Sequence, residues 1–170
     1  MKKLIVIILI IALLFGGLIS TGILNFSKKS SDGLTDNSTE NTTIQEPQFK
    51  KEGELIFTKN KEKLAIEIAD NNEETTQGLM YRRTMPDSCG MLFIFPDSEP
   101  RNFWMKNTHL PLDILFLDES KKVVTIQANR TPFSEEQIPS YQNAKYVLEV
   151  NAGYCKRKGI EKGDFVDFSR

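Results

Sequence analysis

From Glu54 onward the chain is cut into short apolar runs, and nearly every run ends on a turn-forming residue. "ELIFT", Glu54 to Thr58, alternates between Gly53 and Asn60. "KLAIEIAD" places Leu64, Ile66 and Ile68 on one parity, with Lys63 and Glu67 on the other. A period of two with one wet face is the pattern of an antiparallel strand. "GMLFIF", Gly90 to Phe95, is continuously apolar and ends at Pro96, which reads as a strand covered on both faces. "RNFWMKN", "DILFLD", "KVVTIQA", "KYVLEVN" and "DFVDF" add five strand candidates, and "DESK" (118–121) supplies turn chemistry between two of them.

Two segments read instead as short helices. "NNEETTQGLMYRR" has Asn72 as a cap, Glu73 and Glu74 at its positive end, Arg82 and Arg83 at its negative end, and Pro86 beyond. "AGYCKRKG" has Asn151 as its cap and Gly159 as its stop. Strands do not alternate regularly with helices, so a parallel α/β sheet is disfavoured. The expected fold is mainly β, a compact antiparallel barrel or sandwich over residues 52–170, with two short helices covering its ends.

Residues 1–25 have a different character. After Met1, Lys2 and Lys3, the stretch Leu4 to Leu24 carries no charge. As a helix it reaches about 31 Å, close to the hydrocarbon core of a bilayer. A cleaved secretory signal has a shorter apolar region and a small-x-small cleavage site, and no clean one occurs here. An N-terminal transmembrane anchor is therefore favoured over a signal sequence, and the membrane becomes an expected partner. The flanking lysines give a slight bias toward a cytoplasmic N-terminus and an extracytoplasmic domain. Cleavage would instead give a secreted chain. Residues 26–51 are poor in apolar residues and rich in Ser, Thr, Asn and Glu. They read as a disordered polar linker whose ends lie about 28 Å apart.

Charge and cysteine content narrow the function. From Glu52 there are 16 Lys and Arg against 19 Asp and Glu, a net charge of −3 without a basic stripe. Nucleic acid is an unfavoured partner. Cys89 and Cys155 could form one disulfide or remain two thiols, and spacing does not decide. No Cys-x-x-Cys or Cys/His cluster is present, so neither a metal nor any other cofactor is expected. Gly-x-Ser-x-Gly and phosphate-loop patterns are missing as well.

Several blocks carry a family likeness: "QGLMYRRTM", "GMLFIF", "FWMKNTHLPLDILFLD" and "YVLEVNAGYCKRKGI", followed by "KGD". In this order they resemble the bacterial and archaeal family called domain of unknown function 192. The likeness extends from about Leu55 to Phe168. It implies a compact, mainly β fold, often behind a signal sequence or anchor. It implies no established activity and no catalytic residue.

The candidate chemistry concentrates in "RNFWMKNTHLPLDILFLD". If Arg101–Thr108 is a strand, Trp104, Lys106 and Thr108 share one face. An aromatic ring beside an amine and a hydroxyl suits a flat or sugar-like ligand. The competing reading buries Trp104 in the core while Lys106 snorkels to water. Asn107 and Asp113 either satisfy a local turn or point into one pocket from neighbouring strands. Asp113 opens an apolar strand, where a carboxylate is costly unless Lys106, Arg82 or backbone amides partner it. Glu149 has the parity opposite to Leu148 and Val150, which places it off the main apolar face, solvated or paired with Arg82.

Arg82, Trp104, Lys106, Asn107, Asp113 and Glu149 are thus the candidate ligand-binding residues. The favoured function is binding of a small or polymeric polar ligand, carbohydrate included. The first alternative is an accessory protein-interaction module of a membrane complex. The second is a hydrolase using Asp113 with Glu149 or His109, which requires those side chains to share one cleft.

Overall fold

A computed structural model describes residues 46–170. The anchor expected over 1–25, and the linker up to residue 45, lie outside the described residues. Among the described residues no helix is long and apolar enough to cross a membrane.

Seven strands and two short helices follow in the order β1 (Gly53–Phe57), β2 (Lys63–Ala69), α1 (Asn72–Gln77), β3 (Cys89–Phe103), β4 (Leu112–Leu117), β5 (Val123–Arg130), β6 (Ile138–Asn151), α2 (Tyr154–Lys158) and β7 (Val166–Ser169). The strands form one sheet ordered β5-β4-β6-β3-β2-β1-β7. It curls into a half-barrel rather than splitting into a sandwich. The outermost strands approach each other at one end. There Val123 N–H donates to Asp164 O (2.8 Å), Gly163 N–H to Val123 O (2.8 Å) and Val166 N–H to Lys121 O (3.1 Å).

Every pairing is antiparallel except one. β2 and β3 run parallel, with Ile66 beside Gly90 and Glu67 beside Met91. A parallel pair needs a crossover, and residues 70–88 provide it, carrying α1 across the outer face of the sheet. This crossover is why the face of β2 that bears Glu67 is covered rather than wet.

"GMLFIF" and the start of "RNFWMKN" are one fifteen-residue strand, so seven strands stand where eight were expected. Pro96 does not end it, because register shifts fall between Ile94 and Glu99 and between Pro100 and Asn102. Prolines are tolerated at such irregularities, where the ladder needs no donor. β6 likewise starts earlier than expected, at Ile138.

Alternation sorts the core into two layers. All seven strands and α2 contribute to the inner one, which includes Leu55, Ile66, Leu92, Leu115, Leu148, Val166 and Tyr154. The outer one joins Met91, Phe93, Ile114, Phe116 and Val147 to the crossover residues Leu79 and Met85 and to Met105 and Leu110. The first third of β3 and all of β4 are thus buried on both faces, as the unbroken run in "GMLFIF" suggests.

The helices are shorter than their sequence patterns. α1 stops at the C-cap Gly78, well before Arg82, and its N-cap is Asn71, whose side chain accepts from Glu74 N–H. α2 has Gly153 rather than Asn151 at its N-cap, and ends at Gly159 as expected. Residues at the end of the polar tract also dock on the domain. Phe49 packs against the outer layer, and Lys50 N–H donates to a Glu67 carboxylate oxygen at 2.6 Å.

Candidate functional site

β4 and β6 position two carboxyl groups with opposite fates. In their ladder Asp113 lies opposite Val150 and Ile114 opposite Glu149. Cross-strand partners project to the same side, so Asp113 faces the inner layer while Glu149 faces the outer one. The hydrolase reading through an Asp113–Glu149 pair fails on this point, because the sheet separates the two groups. His109 meets neither in a cleft; its ring packs edge-on against Phe133 at 4.8 Å.

Asp113 is fully buried and fully used. One oxygen accepts from Asn129 N–H (2.8 Å) and Gly153 N–H (3.0 Å), the other from Cys155 N–H (3.0 Å). α2 has no side-chain cap of its own. Asp113 supplies that cap from another strand, satisfying first-turn amides that otherwise have no partner. Backbone amides, not Lys106 or Arg82, make its burial tolerable. Cys155 beside it is a buried free thiol, as is Cys89. Burial, together with the Asp113 charge, pushes the Cys155 thiol well above the ordinary range.

Glu149 sits in the row Glu67–Met91–Glu149 across β2, β3 and β6. Arg82 pairs with the first member of this row, not the last. Its Nη1 is 2.6 Å from Glu67 Oε2, and its Nη2 donates to Oε1 at 3.2 Å. This buried pair lines a cleft of about 430 Å³ beside α1, together with Lys50, Glu52, Glu73 and Glu74. Glu149 lies beyond Met91 and has no such partner among the described residues. Burial alone raises its carboxyl to about 8, so the neutral acid predominates at pH 7.

Above Glu149, on the far side of α1, runs a groove. Its narrow end, about 30 Å³, is bounded by Glu149, Phe93, Phe103, Trp104, Thr108 and the end of α1. Its wide part, about 320 Å³, adjoins it through Thr75, Thr76, Phe103 and Trp104 and extends to Phe95 and Arg101. Gly78 separates groove from cleft with φ of +49°. A Cβ there would lie 3.1 Å from the Phe93 ring and 3.9 Å from Glu149 Oε2. The position thus needs glycine for both conformation and room.

Trp104 is 46 % exposed on the groove wall rather than packed in the core. β3 ends at Phe103, so Trp104 belongs to the β3–β4 connection, with the Lys106 amine 5.2 Å above its ring. Asn107 adopts a left-handed conformation (φ 54°) and donates from Nδ2 to the Tyr81 hydroxyl at 2.9 Å. β3 and β4 flank β6 and do not pair with each other, so Asn107 and Asp113 do not look into a common pocket. At the groove's other end the Arg101 guanidinium is committed. It lies 4.0 Å over the Phe95 ring, donates to Ala144 O and Asp97 O, and ion-pairs with the Asp97 carboxylate.

Of the six expected residues, Trp104 and Glu149 therefore line one groove, and Lys106 reaches it only through its contact with the Trp104 ring. Arg82 lies in the adjoining cleft, Asn107 braces a turn, and Asp113 holds α2 from the opposite face. The strand pattern gave no indication of Glu67, Thr75 and Thr76. Their placement depends on the crossover and the parallel pairing, which local periodicity does not encode.

The comparisons agree with this architecture. No curated protein matches the chain. Among the solved structures that are similar, two are crystal structures of bacterial proteins. One, from Sinorhizobium meliloti 1021 and described as a candidate transcription regulator, is 43 % identical, with a TM-score of 0.65, 68 % of this chain and 91 % of that one covered. The other, from Novosphingobium aromaticivorans DSM 12444, is a protein of unknown function. It is 35 % identical, with a TM-score of 0.64 over 68 % of this chain and 82 % of that one. The profile of the family described as "Uncharacterized ACR", domain of unknown function 192, matches residues 55–168, and the chain belongs to that family.

Proposed function

We propose that the chain is a membrane-tethered, extracytoplasmic β-domain whose groove between α1 and the Phe95–Phe103–Trp104 wall binds a polar ligand, carbohydrate being the class to try first. The tether rests on the uncharged Leu4–Leu24 stretch. The binding reading rests on one observation above all. A half-exposed tryptophan stands over a groove whose floor holds a buried carboxyl and whose edge carries the Thr75 and Thr76 side chains. Sugars offer both an apolar ring face for Trp104 and hydroxyls for the polar groups. Regulation of transcription, suggested by the S. meliloti relative's description, has no support in a net charge of −3 from Glu52 onward. The test is a thermal-shift panel of glycans on the full-length chain. A ligand of the groove raises Tm for the wild type and not for Trp104→Ala. A flat panel for both counts against the reading.

A protein-interaction role is favoured by a separate observation. Tyr81 and Phe133 are 51 % and 56 % exposed, and both hold left-handed backbone conformations beside the 104–111 connection. Bulky residues in that region of φ/ψ are strained and recur at working surfaces. Photo-cross-linking from position 133 in membranes should then yield one reproducible protein product. A ladder of unrelated products would reject it.

A further inference from the structure

We propose that the narrow end of the groove is a subsite for an uncharged group bearing an acceptor oxygen, such as a carbonyl or hydroxyl, held by a hydrogen bond from the Glu149 carboxylic acid. The proposal deepens the groove reading above and depends on it. Glu149 is 5 % exposed and lines the narrow end, and its carboxyl makes no hydrogen bond or ion pair with another of the described residues. A buried polar group without a partner is costly. A ligand oxygen seated there would supply the missing partner. The space above it, about 30 Å³, takes one small group and no ring. The ring of such a ligand would lie in the wide part, against Phe103 and Trp104.

The surroundings select for neutrality. α1 and its turn present Thr75, Thr76, Gln77 and Met80 to the narrow end, none of them charged. β3 presents Phe93 and Phe103, and β4 presents Ile114 beside Glu149 in the ladder. On β2, Glu67 lies one strand beyond Met91 and is already held by Arg82. The 104–111 connection contributes Trp104 and Thr108, and its one cation, Lys106, stands over the Trp104 ring. An anion pushed into the narrow end would find no counter-charge. An uncharged oxygen would find a donor whose proton burial retains at neutral pH.

Trp104 is the chain's one tryptophan, so intrinsic fluorescence of the full-length chain reports the groove directly. Tri-N-acetylchitotriose and cellotriose serve as probes because neither titrates near neutral pH, and trigalacturonate serves as the anionic control. We expect a neutral probe to shift Trp104 emission and to bind about tenfold more weakly at pH 9 than at pH 7, as a group titrating at about 8 requires. Trigalacturonate should bind at least about tenfold more weakly than its neutral counterpart at pH 7. Glu149→Gln, which keeps a donor and cannot ionise, should bind with no pH dependence. Glu149→Leu, with its fold checked by circular dichroism, should not bind. Neutral-probe affinity that is flat with pH, or pH dependence that survives in Glu149→Gln, overturns the subsite while leaving the groove reading intact. Tighter binding of trigalacturonate overturns it too. No emission change with any probe at either pH overturns both.

Discussion

Asp113 and Glu149 occupy adjacent rungs of one ladder, are buried to nearly the same degree, and live under different rules. On the inner face, three backbone N–H groups converge on Asp113 and make its carboxylate part of the scaffold. On the outer face, nothing charged or hydrogen-bonding among the described residues offsets the burial of Glu149, which pushes its carboxyl up to about 8. Burial alone therefore does not fix the role of a carboxyl group. The number of donors aimed at it matters as much, and that number follows from which backbone groups the topology brings close. A saturated carboxylate is architecture. A bare carboxylic acid at the floor of a groove is available for binding.

Removing the saturated group should have the largest effect. Asp113→Ala orphans three buried donors and uncaps α2, a loss of about 5 kcal/mol. Urea unfolding measures it, and a loss below about 1 kcal/mol would mean that α2 finds another cap. Next comes the outer-face ion pair. Arg82→Leu leaves Glu67 buried and uncompensated, at about 3–4 kcal/mol. The double variant Arg82→Leu/Glu67→Gln should recover most of that loss, and failure to recover would show that Arg82 contributes through packing instead.

Glu149→Gln should act in the opposite direction, and increasingly so as pH rises above about 5. The folded-state value lies above the ordinary one, so the folded chain binds more protons than the unfolded chain between about pH 4.5 and 8. Stability must then fall as pH rises through that window. The variant escapes this loss. It should match wild type at pH 4 and exceed it by a few kcal/mol at pH 9. Equal Tm differences at both pH values would place a partner on Glu149 after all. The smallest effect belongs to Trp104→Ala, within about 1 kcal/mol because the ring is half exposed. A larger loss would assign the ring to the core and weaken its use as a reporter.

The sequence made some of this legible and hid the rest for identifiable reasons. Alternation in "KLAIEIAD" and the unbroken run in "GMLFIF" predicted real strands, because side-chain parity is a local property. Asp113 stood out as a carboxylate that needed partners, yet those partners come from Asn129, Gly153 and Cys155, which no local pattern links to it. Glu67 read as solvent-facing because parity reveals sides but not what covers them. Its cover is the crossover that a parallel β2–β3 pair demands, and nothing in either strand announces parallel pairing. Arg82 suited a helix C-terminus by charge, but Gly78 ends α1 first. Of the site itself, Trp104 and Glu149 were visible as residues out of keeping with their strands. The groove that joins them was not.

The meeting of the first and last strands also has a consequence for biosynthesis. β1 pairs along its length with β7, as Glu54 with Ser169 and Phe57 with Val166. β1 thus remains an unpaired edge until β7 has been made. A nascent chain that has exposed β1 to β6 leaves β1 bare, and an uncovered strand edge is prone to sticking to its neighbours. Loss of the last five residues, Val166 to Arg170, would leave that state permanent. Such a chain should accumulate as aggregate rather than as a slightly weakened domain.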